Sequence, residues 1–199
     1  MSEPFEDSAP PASSAIAFKE WSGICRALGE GRQSLILRKG GIQEGAGGFQ
    51  PQHSSFWLFP TYSHQQTQGL RIPLQPEDAP SADPATPSSQ PFVPIEVFVV
   101  TTHIARIERL EQLEPLEPFH VWSPHTIVER FHYRVPGLWA LLVRAYRRPE
   151  PYRIAVTPAY EGCKSWVPLA EPLRLEGAIP ALSDQAFIDA AARIRAALP

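Results

Sequence analysis

The longest strand-forming stretch of the chain is residues 95–107, with the sequence IEVFVVTTHIARI. Apolar residues fall on both of its faces at positions 97–100, which indicates a strand that is covered on both sides. Together with short helices and the other apolar runs, this stretch predicts a single α+β domain with a mixed or mainly antiparallel sheet. The other runs of strand length lie at residues 34–38, 56–60, 138–146, 153–156 and 166–169.

The first part of the chain gives weaker local signals. Ser13-Ser14 predicts a capped helix over residues 15–21. Gly23 disfavours a longer helix, so residues 22–28 are predicted to form a strand. That strand is expected to make a hairpin with the strand at 34–38, because a glycine-containing turn separates the two.

Later helices are signalled by their caps. Ser123, with a proline in the first helical position, predicts a helix over residues 124–132, and Ser183 caps a final helix. Between residues 108 and 119, glutamate and leucine recur every three residues and two prolines interrupt the segment. The prolines disfavour a helix, so the segment is predicted to be extended, with its leucines inward and its glutamates outward.

Proline is the compositional outlier, at 23 of 199 residues, and it favours short elements joined by stiff loops. Residues 1–14 are predicted to be a disordered tail, residues 15–199 the domain, and the proline-rich stretch 75–91 a flexible loop. Both the tail and the loop carry three carboxylates and no Lys or Arg, whereas the whole chain has a net charge of −3. The rest of the chain is therefore net positive, which fits a phosphate-bearing partner without requiring one.

Basic and aromatic residues are interleaved at residues 130–134 (RFHYR) and again at 144–148 (RAYRR). Arginine neutralises phosphate and aromatic rings stack on unpaired bases, so these stretches predict contacts with nucleic acid. The predicted phosphate contacts are Arg38, Lys39, Arg130, Arg134, Arg144 and Arg147, with Trp57 or Tyr133 stacking on a base.

One pattern of metal-ligand type occurs on the helix at 124–132. It brings His125, Glu129 and His132 to one face, which makes them candidate metal ligands. Their spacing is not that of the H-E-x-x-H zinc motif, so a solvated helix face is favoured and no metal or other cofactor is predicted. The chain also has no D/E-x-K triplet, and thus lacks the lysine motif usual in metal-dependent restriction nucleases.

The two cysteines, Cys25 and Cys163, are far apart and form no C-x-x-C motif. Reduced thiols are typical of the cytoplasm, which is the predicted location. The N-terminus is acidic and proline-bearing, unlike a signal peptide, and the strongest apolar run, residues 138–143, is too short to span a bilayer. No membrane partner is predicted.

Four motifs stand out beside these patterns: FKEW at residues 18–21, ILRKGGI at 36–42 with Glu44, FWLFPT at 56–61 with His64-Gln65, and GCKSW at 162–166. Together they resemble a bacterial family known as domain of unknown function 1802. The resemblance covers about residues 16–170, with the proline-rich stretch as an interruption. It implies a link to DNA or to defence, because some members are thought to occur with a restriction-endonuclease-type domain.

The predicted function is a nucleic-acid-associated accessory module that works with a separate effector protein. An alternative is a small hydrolase or transferase whose pocket is formed by the motifs. In that alternative, Glu44, His64 and Cys163 supply a carboxylate, a base and a nucleophile. A structural interaction domain is the third hypothesis.

Overall fold

The structure is a computed structural model that describes residues 9–39, 51–62, 69–75, 92–162 and 164–199. In chain order, the strands and α-helices of these ranges are β1 (Ser13–Trp21), α1 (Ser22–Gly29), β2 (Leu35–Arg38), β3 (Ser55–Thr61), β4 (Phe92–Ile107), α2 (Pro124–His132), β5 (Leu138–Ala155), β6 (Trp166–Arg174), β7 (Ile179–Pro180) and α3 (Asp184–Ala197). Two 3-10 helices, Leu110–Phe119 and Pro158–Tyr160, complete the set within the same ranges.

The strands in the described residues form one open sheet in the order β2-β5-β4-β3-β1-β6, and the short β7 pairs with β5. Strands β1 and β3 run parallel, whereas the other pairs are antiparallel. The prediction of a single α+β domain with a mixed sheet is therefore confirmed. None of the described helices is long and apolar enough to cross a membrane.

Strands β4 and β5 form the longest pairing of the sheet, from Phe92 opposite Ala155 to Ile107 opposite Leu138. Alternate residues of β4 enter two different apolar clusters: Val97 and Val99 pack in one, and Phe98 and Val100 in the other. The predicted coverage of this strand on both faces is thus correct. The two strands predicted at 138–146 and 153–156 are one continuous strand, β5.

The local prediction for residues 15–28 is wrong, because the helix and the strand are exchanged. Residues 15–21 belong to β1, which is held between β3 and β6, and these distant pairings outweigh the capping signal of Ser13-Ser14. Residues 22–28 belong to α1, in which Ile24 and Leu28 are fully buried one turn apart. The expected hairpin is absent, since β2 pairs with β5.

Strand β1 begins at Ser13, inside the predicted tail, and residues 1–8 lie outside the described residues. Residues 76–91 of the predicted proline-rich loop lie outside them as well.

The segment predicted to be extended is the 3-10 helix Leu110–Phe119. A 3-10 helix has three residues per turn, so it gives the same two faces as an extended threefold segment. Leu113 and Leu116 are buried, whereas Glu111 and Glu114 are exposed, as predicted. The three-residue repeat therefore predicts which side chains are buried, but it does not distinguish a 3-10 helix from an extended segment.

His120 follows this helix and is 6% exposed. Its Nδ1 accepts a hydrogen bond from the Trp122 N–H at 3.2 Å, and Arg71 donates to its carbonyl oxygen. Burial, and to a lesser degree the charge of Arg71, lowers the pKa of His120 to about 4. The imidazole is therefore neutral at physiological pH.

This pKa predicts a loss of stability in acid. Between pH 6.5 and pH 4 the unfolded chain binds a proton at His120 that the folded chain does not. The contribution of the neutral His120 to the free energy of unfolding is therefore complete above pH 6.5 and is lost as the pH falls toward 4. From pH 7 to pH 4.5, urea unfolding should show wild type losing about 2–3 kcal/mol more than His120→Asn. Equal losses of the free energy of unfolding in the two proteins would contradict the conclusion that His120 is buried in its neutral form.

Candidate functional site

The four sequence motifs meet around Arg38, the last residue of β2. Its Nε and Nη2 donate to Ser165 Oγ at 3.1 and 2.6 Å, and its guanidinium lies 4.9 Å from the centre of the Phe18 ring. The Trp166 ring packs against Phe18 and Phe56, with ring centres 4.9 Å apart in each case. Residues 18–21, 36–39, 56–61 and 164–166 of the motifs thus form one contiguous region.

A buried charged group lies beside this contact. Glu20 is 1% exposed; its Oε1 accepts the Trp21 N–H at 2.8 Å, and its Oε2 has no hydrogen-bond partner within the described ranges. Arg130 of α2 lies over the rings of Trp21 and Trp122, at 4.7 and 4.0 Å. Burial lowers the pKa of Arg130 to about 10, although Glu20 raises it, while Arg38 lowers it further. The group therefore holds two cations and one carboxylate, and Arg130 remains charged at neutral pH.

Lys39 holds the turn between α2 and β5. Its Nζ donates to the carbonyl oxygens of Phe131 at 2.8 Å and Gly137 at 2.9 Å, and also to that of Val135. Burial, followed by the nearby charge of Arg106, lowers the pKa of Lys39 to about 8. The lysine thus ties the end of β2 to both ends of the turn.

Arg106 reaches the same turn from β4. Arg38, Trp139 and Arg106 stand in one row across β2, β5 and β4, because Trp139 is opposite each arginine. The Arg106 guanidinium lies 5.3 Å from the Trp139 ring centre. Gly137 has φ 122°, and a Cβ there would lie 2.8 Å from Arg106 Nη2. A glycine is therefore required where the turn passes the arginine.

The turn itself presents exposed side chains. Tyr133 is 48% exposed, Val135 is 74% exposed, and the Arg134 guanidinium lies 5.3 Å from the Tyr133 ring centre. Arg134 has φ 61°, a left-handed conformation that is uncommon outside glycine. We call residues 133–137, together with Lys39 and Arg106, the basic turn. Within the described residues, none of its three cations has a carboxylate at ion-pair distance.

Three of the residues predicted to contact nucleic acid lie elsewhere. Arg144 is paired with Asp184, and Arg147 Nε lies 3.2 Å from Glu96 Oε1, so neither is an unpaired cation. Trp57 is fully buried, because its ring packs against Phe98 and Tyr152 on one face of the sheet, and it has no exposed face for stacking. These three residues therefore do not join the predicted contacts Lys39, Tyr133 and Arg134 at the basic turn.

The candidate metal ligands are on one helix, as predicted, but they do not form a ligand set. His125 Nδ1 lies 3.4 Å from Glu129 Oε2, and both side chains are largely exposed. The His132 ring packs against Phe131, with centres 5.1 Å apart. No group of three potential ligands occurs anywhere in the part of the chain that the structure describes. The candidate catalytic residues Glu44, His64 and Cys163 lie outside that part, so their role stays a prediction.

Sequence reasoning missed the parts that Glu20 and Arg106 play. Glu20 belongs to a quoted motif, but nothing local indicates that its carboxylate is buried. Arg106 interrupts the apolar strand β4 just before Ile107, and a charged residue in such a strand was the available signal.

The buried charged group predicts a measurable coupling. Arg130→Met removes the positive charge that acts on the buried Glu20 carboxylate without being at ion-pair distance from it, which should lower the free energy of unfolding by about 1–3 kcal/mol. Adding Glu20→Gln removes the stranded charge, so the double variant should be more stable than the sum of the single effects by at least about 1 kcal/mol. Urea unfolding of the four proteins measures this coupling, and additive losses would show that the two charges do not interact.

Comparison with known proteins gives the family. Residues 17–193 match the family model described as a domain of unknown function, DUF1802. A solved structure, the ASCH protein of Zymomonas mobilis, is similar with a TM-score of 0.44 and 11% identity, covering 91% of this chain and 93% of that one. A tyrosine-to-phenylalanine variant of it gives a TM-score of 0.47 and 13% identity over 78% and 90% of the two chains. A serine-to-alanine variant gives a TM-score of 0.47 and 10% identity, covering 81% of this chain and 92% of that one.

No protein with a curated description matches the chain significantly. The family match spans most of the chain and includes all four motif regions, in agreement with the resemblance seen in the sequence. The chain therefore belongs to the DUF1802 family.

Proposed function

We propose that this protein is a nucleic-acid-binding accessory module and that the basic turn is its contact surface. The observation that carries the proposal is the meeting of three cations at one turn, the exposed Arg134 and the half-buried Lys39 and Arg106, with no carboxylate at ion-pair distance among the described residues. Elsewhere on the sheet, Arg144 and Arg147 are each paired with an acid. Unpaired cations that share a surface create the positive potential that attracts a phosphate backbone.

The aromatic side chain of the turn favours single-stranded nucleic acid. Tyr133 is about half exposed, and Arg134 lies against its ring. A ring of this kind can stack on an unpaired base, while the arginine beside it neutralises the neighbouring phosphate. A paired base is not available for such stacking, so we expect single strands to bind more tightly than duplexes.

The conformation of the turn also supports a functional role. A non-glycine residue held at positive φ, as Arg134 is, costs on the order of 1–3 kcal/mol and persists only where its surroundings fix it. Lys39 fixes this turn through the carbonyls of Phe131, Val135 and Gly137. The side chains of Tyr133 and Arg134 are consequently presented on a constrained backbone, which reduces the entropy lost on binding.

The buried charged group adds to the potential at this surface. Arg38 precedes Lys39 in the chain, and Arg130 lies three residues before Tyr133. With Glu20 as the acidic member, the group keeps a net positive charge at neutral pH. Arg38 and Arg130 are close enough to interact, and each is near a residue of the basic turn in the chain, so they add positive charge to this part of the molecule.

The proposal predicts that binding depends on the salt concentration and is weakened by substitutions in the basic turn. Fluorescence anisotropy with labelled single-stranded and duplex DNA and RNA, over a series of salt concentrations, should give a linear fall of log affinity with log salt concentration. Arg134→Ala should weaken binding and reduce the slope by about one. Tyr133→Ala should weaken single-strand binding by about 1–3 kcal/mol and affect duplexes less.

Arg147→Ala is the matched control, because it removes the same charge from an arginine that Glu96 already neutralises. Its effect on binding should be much smaller than that of Arg134→Ala. Absence of binding at low salt, or equal losses in the two arginine variants, would contradict the proposal.

A further inference from the structure

A second region of the surface has the opposite charge and is not part of the basic turn. An open cleft of about 280 Å³ lies between the 3-10 helix Leu110–Phe119 and α2. Its apolar lining includes Leu113, Trp122 and Ile127, and Val128 at the cleft is 40% exposed. This volume is slightly smaller than the smallest typical small-molecule sites, which begin at about 300 Å³, so the cleft suits a single large apolar side chain.

Glutamates line the cleft along the 3-10 helix. Glu111, Glu114 and Glu117 are spaced by three residues, so in a 3-10 helix they stand in one column about 12 Å long, at about 2.0 Å of rise per residue. Glu117 is paired with Arg71, at 3.1 Å. Among the described residues, Glu111 and Glu114 have no cation at ion-pair distance. Two acidic positions of the column are therefore open to a cation.

Arg71 shows how a cationic side chain pairs with the glutamate column. Its guanidinium contacts the Glu117 carboxylate, and it donates to the carbonyl oxygens of Glu117 and His120. One end of the column is thus already occupied by an arginine of the chain itself. The same chemistry is available at Glu111 and Glu114.

His120 adds an independent observation that points to a ligand. The residue is only 6% exposed, and it is among those that line the cleft. Because Nδ1 accepts the Trp122 N–H, the proton of the neutral ring is on Nε2. Nε2 has no hydrogen-bond partner among the residues that the structure describes. The cleft therefore contains a donor on a largely buried residue, and a carbonyl oxygen of a bound chain can accept from it.

We propose that this cleft binds a basic peptide segment of a partner protein. An apolar side chain of the segment fills the cleft, its lysines or arginines pair with Glu111 and Glu114, and a backbone carbonyl accepts from His120 Nε2. The acidic column excludes a phosphate backbone, so this surface is separate from the one proposed for nucleic acid. The column, about 12 Å long, matches an extended peptide of about four residues better than a single small ammonium ion.

The occupant is another chain rather than a segment of this one. The residues outside the described ranges, 1–8, 40–50, 63–68, 76–91 and 163, contain no Lys or Arg. Three carboxylates of residues 76–91 would be repelled by the column. Charge complementarity therefore requires a partner.

The test uses the full chain and a fluorescent hexapeptide in which a central leucine is flanked by arginines. Its matched counterpart has glutamates in place of the arginines. Anisotropy at low salt should show binding of the basic peptide and none of the acidic one. The double variant Glu111→Gln/Glu114→Gln should weaken binding by about fivefold, as expected for two exposed ion pairs. Val128→Ser should weaken it as well, without loss of the fold by circular dichroism.

The control is Glu108→Gln/Glu161→Gln, which changes the net charge equally at two exposed glutamates outside the lining of the cleft. Equal weakening in the control and in the cleft variant would overturn the proposal, and so would equal binding of the two peptides. Binding of phenethylamine as tight as that of the peptide would assign the cleft to a small amine instead. Nucleic-acid binding should be unchanged in the cleft variants, so failure at the cleft is distinguishable from failure of the proposed function.

Discussion

The pairing of β4 with β5 is the constraint on which the rest of the structure depends. Its register places Arg106 beside Trp139, and the pairing of β5 with β2 places Arg38 on the other side of the same tryptophan. Lys39, at the end of β2, thereby reaches the turn that leads from α2 into β5. The basic turn is a consequence of this register, because a shift by one residue would turn the side chains of this row to the opposite face.

The region around the turn brings like charges together, which folding alone would disfavour. Burial lowers the pKa of both Arg130 and Lys39, and the nearby charges of Arg38 and Arg106, respectively, lower these pKa values further. The rings of Trp21 and Trp122 and the buried Glu20 offset part of this repulsion around Arg130. A chain that departs from the rules of stable folding at one place commonly does so at a functional site, and a phosphate backbone would relieve the remaining repulsion.

The sequence predicted the elements whose signals are local, such as α2 with its cap at Ser123, whose side chain accepts the Thr126 N–H. It exchanged β1 and α1 because the parallel pairing of β1 with β3 joins residues about forty positions apart, and no local pattern reports it. The same distinction between local signals and distant partners applies to the candidate site. Residue type and spacing marked residues 130–134 as a candidate contact; Tyr133 and Arg134 are exposed, whereas Arg130 lies over the rings of Trp21 and Trp122. The neutralisation of Arg147 and the burial of Trp57 depend on partners elsewhere in the chain, which only the folded structure reveals.

Binding of nucleic acid at the basic turn is tested most directly by photochemical crosslinking. A single-stranded oligonucleotide that carries 5-bromouridine would be bound at low salt, irradiated, and the crosslinked residues mapped by mass spectrometry. Binding at this surface predicts a crosslink at Tyr133 or its immediate neighbours, which is lost when the salt concentration is raised. Crosslinks confined to other parts of the chain, with none between residues 130 and 139, would contradict it.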